Sequence, residues 1–418
     1  MNCSLILLLG LFSHLAIGIV TYDDHALYRI VPKNSESVDI LRLLQKSESE
    51  KYDFWTFPRA AGMPVDILVS PQQKSFIEKL VNENKMDYEI LIENIQENID
   101  EEARFNKNNL NDVADISWEI YNDLDTINNW LQKLAQQYPD IVTLLEGGKS
   151  YENRTILGVK VSYGSQNKNR GVWIDSNIHA REWISSATNT FLLNAILTSD
   201  DPVVRQIAKS HDWYIFPVIN PDGFVYSYTT DRLWRKNRSL PYGVDLNRNW
   251  DYKWNGDACT DISKQSDVYC GTAAFSEIET SSLANFISTI AEDLVLLLTF
   301  HSYSQFMIIP YGDSERHVDN YNVTYAAAVK AAESLAQRYG TQYSIGTAPE
   351  LLYQAFGISM DWAKAQFQIP YVYTYELRDK GKYGFLLPTD QIIPTGLETL
   401  DSIITLLQEA DKQLSSNY

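Results

Sequence analysis

Two short stretches, more than a hundred residues apart, hold the side chains best suited to chemistry. They are His179-Ala-Arg-Glu182, inside WIDSNIHAREWI, and His301, which opens HSYSQ. Two imidazoles and one carboxylate are protein ligands that a catalytic zinc takes, with a fourth position left open for water. The chain has six histidines, and only His179 has a carboxylate three residues on, set between apolar residues. A lone His-x-x-Glu is more often a satisfied histidine beside a solvated glutamate. The neighbours have to decide between the two.

Those neighbours are apolar strands. GVWID runs into His179 and Glu182, DLVLLLTF runs into His301, and YVYTYEL delivers Glu376. Open α/β sheets bind ligands in the crevice beyond the carboxyl ends of their strands. Glu376 needs a reason to close an apolar strand, because a buried unpaired carboxylate is costly. It is either a general base for a water or an ion-pair partner for Arg378. ILGVKVS and DWYIFPVI add two more strands, and helical stretches (Ile184 to Leu197, SLANFISTIAED, YAAAVKAAESLAQRY) lie between the strands. Strands interleaved with helices predict an α/β domain whose sheet is at least partly parallel.

At 418 residues the chain exceeds one average domain. The first eighteen residues read as a secretory leader: an apolar run from Leu5 to Phe12, then Ala16-Ile17-Gly18 as a small-x-small cleavage site. That run is too short to span a bilayer. Residues 19–107 follow a β-α-β-β-α-β order (HALYRIV, SVDILRLLQKS, YDFWTF, VDILV, QQKSFIEKLVNEN, DYEILI), the ferredoxin-like split βαβ pattern. The polar stretch NIQENIDEEARFNKNNLND then reads as a linker with Arg104 and Lys107 exposed, open to a proteolytic nick. Residues 108–418 form the second domain. Loss of the leader removes Cys3 and leaves Cys259 and Cys270, most simply one disulfide in an exported chain, contributing on the order of 3 kcal/mol. A two-thiol zinc site is the poorer alternative. Asn153, Asn237 and Asn322 open glycosylation sequons. The net charge of −19 argues against nucleic acid, whose phosphates want a basic surface.

HAREW, NPDGF, RLWRKNRS, GVDLNRNW, HSYSQ, YQAFG and ELRDKGKYGFLLPTDQIIPT occur in one order. In these motifs the chain resembles the zinc metallocarboxypeptidases of the digestive A/B type, from about Trp118 to the C-terminus. The leading domain is similar to that family's pro-segment in element order and position. The resemblance implies one Zn2+ per chain on His179, Glu182 and His301, with Asp245 orienting a ligand histidine from behind. It gives Glu376 the role of general base and Arg235 that of oxyanion stabiliser. Asn247 and Arg248 look like the clamp on a free C-terminal carboxylate, for which arginine's rigid fork is suited. Arg181, Arg232, Ser302 and Tyr303 correspond to further substrate-binding positions, and Tyr353 to a tyrosine that folds over bound substrate.

Met360 corresponds to the base of the side-chain pocket, where relatives that cleave basic residues carry an acid; Gly312 also fits the A-type pattern. Ile358 and Ala348 depart from it, the first replacing a common glycine and the second a larger aliphatic residue, so a reshaped pocket is the alternative. The cysteine pair resembles the second loop disulfide of B-type relatives. The expected fold is therefore a mixed, partly parallel sheet flanked by helices, preceded by a ferredoxin-like α+β pro-domain. The expected function is a secreted zymogen, monomeric and extracellular in a digestive lumen. It would be activated by a trypsin-like endoprotease and act on peptides or proteins with a free C-terminus, with neither nucleic acid nor membrane as partner. A catalytically inactive peptide-binding relative is the competing expectation. Loss of a ligand or of the base would signal it, and all of them are present.

Overall fold

The computed structural model describes residues 18–110, 115–164, 169–254 and 262–416. The leader reading and Cys259 fall on residues outside these, Gly18 excepted.

The leading domain has the expected order: β1 (Ala26–Val31), α1 (Ser35–Ser47), β2 (Tyr52–Phe54), β3 (Val65–Val69), α2 (Lys74–Glu83) and β4 (Asp87–Ile92). Its sheet runs β2-β3-β1-β4 with every pair antiparallel. Asn34 starts α1 by accepting a hydrogen bond from the Ser37 N–H, satisfying one of the free donors of the first turn. Val38, Leu41 and Leu44 of that helix are buried at helical spacing. Leu41 and Leu44 join Ile77 and Val81 of α2 in one core with Tyr28, Ile30, Ile67 and Val69 of the sheet.

The segment expected as a linker is instead a helix, α3 (Ile95–Leu110). Ile95 and Ile99, one turn apart, pack into the cluster between the two domains, so the helix has a buried face that its polar composition conceals. Glu97 in its first turn and Lys107 in its last also suit the helix dipole. Arg104 and Lys107 are exposed as expected, but the boundary at residue 107 falls inside a helix.

The second domain is built on eight strands: β5 (Val142–Lys149), β6 (Thr155–Val161), β7 (Arg170–Ser176), β8 (His211–Phe216), β9 (Leu294–Ser302), β10 (Phe306–Ile309), β11 (Ser344–Thr347) and β12 (Tyr371–Leu377). They lie in the order β11-β10-β12-β9-β7-β8-β6-β5. The central pairs β12·β9, β9·β7 and β7·β8 are parallel, and β10·β12, β8·β6 and β6·β5 are antiparallel. The sheet is thus mixed. β9 is buried at every position because helices cover both faces, the usual condition of a parallel strand. Val172, Ile174, Leu296 and Leu298 face one helical layer, which includes Leu192 and Leu193 of helix Trp183–Thr198 and Leu406 and Leu407 of helix Ile392–Ser416. Trp173 and Leu297, of opposite parity, face Leu283 and Ile287 of helix Ile278–Ile290 and Trp362. No helix among the described residues is long and apolar enough to cross a membrane.

Candidate active site

β12, β9 and β7 are adjacent and parallel, so their carboxyl ends meet at one edge of the sheet. The register sets Glu376 opposite His301 across the β12·β9 pair. β7 ends at Ser176, and the chain turns through Asn177, whose side-chain amide donates to the His179 carbonyl at 2.9 Å. His179 follows, and Glu182 is the N-cap residue of helix Trp183–Thr198. Strand ends and one helix start therefore converge.

His179, Glu182 and His301 are buried, and each offers a ligand atom within 4.8 Å of the others. Glu182 Oε1 lies 2.8 Å from His179 Nδ1, Glu182 Oε2 lies 3.1 Å from His301 Nδ1, and the two Nδ1 atoms are 3.1 Å apart. Two ring nitrogens and a carboxylate aimed at one buried point suit the two-His, one-carboxylate set of a catalytic zinc. The far side of His179 is held as such a site requires: Nε2 lies 3.1 Å from Asp245 Oδ1. Asp245 also caps the short turn Leu246–Arg248 by accepting from the Asn247 N–H at 2.8 Å. Its Oδ2 accepts from Arg235 Nη2 at 2.8 Å. One carboxylate thus ties His179, the Asn247 backbone and Arg235 together.

Electrostatics follow from that packing. Burial opposes ionisation of Asp245, but Arg235, His179 and Arg248 outweigh it and hold its carboxyl well below the usual range. Burial and the Arg235 cation push the His179 imidazole down. His301 is also disfavoured by burial, yet the Glu182 carboxylate carries it upward. Burial pushes the Glu376 carboxyl up to about 8, with Glu182 adding and His301 and Arg235 opposing.

The remaining expected residues line the same cavity, of about 100 Å³, except Arg232. Arg248 donates through Nη2 to the Tyr353 hydroxyl at 2.6 Å and through Nη1 to the Asn247 carbonyl at 2.6 Å. Asn247 Oδ1 accepts from the Ser359 N–H at 3.0 Å. Met360 lies at the back with Ile308, Ala348, Ala355, Ile358 and Thr374, and Thr374 Oγ1 donates to its sulfur at 3.2 Å. Asp361 turns away and accepts from the Gly312 N–H at 2.8 Å. Arg232 stands behind this cavity, its guanidinium stacked 3.6 Å over the Trp183 ring and hydrogen-bonded to Glu102 of α3. Cys270 is disulfide-bonded; Cys259 lies outside the described residues. Asn237, the central sequon residue, is buried and donates to Glu277 and Glu279.

Residues of the leading domain also enter the site. Asp53, Trp55 and Phe57 alternate along YDFWTF. Asp53 Oδ2 accepts from Arg181 Nη1 at 2.9 Å, Trp55 packs on Tyr303 and Phe385, and Phe57 meets Tyr353 edge-on at 4.5 Å. Gly384 permits this seating: its φ is +58°, and a Cβ there would come within 2.6 Å of the Trp55 ring. Tyr52 and Phe54, of the other parity, are buried in the leading domain's own core, and nothing in the sequence says what Asp53, Trp55 and Phe57 cover.

A family model described as zinc carboxypeptidase matches residues 127–402, and one described as carboxypeptidase activation peptide matches residues 28–102. The chain is 40% identical over 401 residues to zinc carboxypeptidase A 1 of Anopheles gambiae, covering 94% of this chain and 92% of that protein. It is 35% identical over 414 residues to carboxypeptidase A1 of Bos taurus, covering 96% and 98%. The crystal structure of carboxypeptidase A from Helicoverpa armigera superposes with a TM-score of 0.84 at 28% identity, over 93% of this chain and 98% of that one.

Proposed function

Because the chain belongs to the zinc carboxypeptidase family and carries an activation peptide, we propose that it is the secreted zymogen of an enzyme that removes apolar or aromatic residues from peptide C-termini. The reading takes residues 1–18 as the leader, 19–107 as the pro-domain and 108–418 as the catalytic domain. A trypsin-like cut near Arg104 or Lys107 releases a monomeric enzyme into a digestive lumen. One observation supports the specificity: Met360 lines the cavity that holds Arg248, together with Ile308, Ala348, Ala355 and Ile358, while the neighbouring Asp361 bonds to the Gly312 backbone instead.

His179, Glu182 and His301 hold the zinc, whose chemistry is to polarise a carbonyl oxygen and lower the pKa of a water. Asn247 and Arg248 bind the terminal carboxylate, which takes the place of the Tyr353 hydroxyl on Arg248. Met360 and the aliphatic wall receive the terminal side chain. Arg235 is held by Asp245 at its Nε and Nη2 atoms, and this anchoring presents its charge to the oxyanion without reorganisation. Loss of one such donor costs about 10²–10³ in kcat. Glu376 takes a proton from the attacking water and delivers it to the leaving amine. A shift within the apolar set toward aliphatic residues is favoured by Ile358, whose Cδ1 lies 2.7 Å from where a Cβ on Gly312 would stand. It fills space that an aromatic ring would use.

The test is a panel of peptides differing only in the C-terminal residue, assayed before and after limited trypsin treatment. Burial favours a large apolar side chain by about 1.5–3 kcal/mol, whereas a buried Lys or Arg meets a desolvation cost of several kcal/mol without a counter-ion. Phe, Leu or Met should lead Lys and Arg by roughly 100-fold in kcat/KM. A wild-type preference for Lys or Arg would overturn the specificity.

A further inference from the structure

Arg181 is 2% exposed; its Nη1 donates to Asp53 Oδ2 at 2.9 Å and to the Leu233 carbonyl at 3.2 Å, and forms an ion pair with Asp267 Oδ2 at 3.4 Å. The three do not share a fate. Asp53 lies in the pro-domain and leaves with it, whereas Leu233 and Asp267 belong to the catalytic domain. Arg181 Nε is buried without a partner among the described residues, so the guanidinium keeps donor capacity for a ligand. Arg181 and Asp267 line the same cavity as the metal ligands. Asp267 also lines a 530 Å³ cleft between the pro-domain and the loop 265–268, so departure of the pro-domain uncovers it.

The loop under Asp267 is anchored. The Lys236 ammonium, 3% exposed, donates to the carbonyls of Lys264, Gln265 and Ser266 at 3.3, 3.3 and 2.9 Å. Tyr269 N–H bonds to the Ser266 carbonyl at 3.2 Å, and Tyr269 in turn accepts from the Asp245 N–H at 2.8 Å. Asp267 therefore stands beside Arg181 through a turn tied to the segment that carries Asp245. Charge then decides what the vacated Asp53 position accepts. Arg181 and Asp267 are together neutral, and a second carboxylate adds an uncompensated negative charge beside Asp267, in a half-buried place. Asp53 itself meets this cost: burial pushes its carboxyl up to about 6, with Asp267 adding and Arg181 opposing. An amide or carbonyl oxygen would accept the same hydrogen bonds without the repulsion.

We propose that Asp267 is a specificity-determining residue that makes the Arg181 subsite reject acidic substrate side chains upstream of the scissile bond in favour of uncharged isosteres. The inference rests on the reading of this site as a carboxypeptidase. Its test uses the trypsin-activated protein and peptides with one fixed apolar C-terminus, carrying Asp or Asn at each of the upstream positions in turn. At one position the Asn-to-Asp ratio of kcat/KM should fall at least about threefold in Asp267→Asn, the scale of a partly exposed charge interaction. It should fall further in Asp267→Lys, and the difference should shrink at high salt. The same peptide pairs are titrated calorimetrically on a Glu376→Gln background, where binding is read without turnover. Absence of turnover on every peptide together with a shifted binding ratio would sink the catalytic reading and leave the selector standing. A ratio within twofold of wild type at every position, in turnover and in binding alike, overturns the selector.

Discussion

Asp245 accepts from His179, Arg235 and the Asn247 backbone at once, so its loss disturbs all three together. Metal analysis should find one zinc per chain in the wild-type protein and none retained by His301→Ala after dialysis. Asp245→Asn should weaken zinc affinity about 10–100-fold, as removal of a hydrogen-bonding partner of a ligand histidine does. Full zinc occupancy in His301→Ala would refute the ligand set. The pocket offers a second single-residue test. Met360→Asp places a carboxylate where the sulfur now accepts from Thr374, and should raise activity on C-terminal Lys relative to Phe by about 10-fold or more. An unchanged ratio would mean that the substrate side chain does not reach Met360.

Among the elements, α3 carries Arg104 and Lys107, where the activating cut is proposed. It was expected as an open linker, and its helical form changes how a protease meets Arg104 and Lys107. A helix held against the catalytic domain must open locally before it can be cut. Glu102 provides the hold, through a two-pronged pair with Arg232 at 2.6 and 3.1 Å. Glu102→Gln leaves Arg232 buried without its carboxylate, a change worth about 3–5 kcal/mol for a buried pair. Trypsin cleavage at the α3 bonds, followed by mass spectrometry, should then run at least about 10-fold faster than in wild type. Equal rates would show that helix opening does not limit the cut.

At the level of the whole molecule, the two domains share a small apolar core of Leu27, Trp55, Leu68, Ile95, Leu233, Tyr303 and Phe385. Charged contacts surround it, and one of them makes docking depend on pH. Asp53 faces Arg181, Asp267, the Trp55 indole and Tyr22, and burial raises its carboxyl from 3.8 to about 6. A carboxyl whose value is raised on docking stabilises the docked state at low pH. That contribution is complete below the free value and fades as pH rises through about 6. After the cut, the pro-domain should therefore be retained more tightly at pH 4 than at pH 7. Asp53→Asn should flatten the dependence; a variant that keeps the full pH profile would assign it to another group.

The candidate site residues were readable in the chain because each sits where a local pattern breaks. A histidine and a glutamate three apart interrupt apolar residues at the end of GVWID, His301 closes DLVLLLTF, and Glu376 closes YVYTYEL. The alternating strands and helices that carry them follow from apolar periodicity, which is a local property. Short or irregular elements were harder: β10 and β11, of four residues each, are too brief for a period to register. α3 was hidden by its polar surface, since Ile95 and Ile99 bury only because another domain lies against them. Asp53, at an apolar segment, and Asp267, in a loop, are ordinary acids until folding brings both to one guanidinium. Residue type and local spacing decided which groups can do chemistry. Long-range packing alone decided which of them share a partner, because that depends on distances between segments with no common sequence pattern.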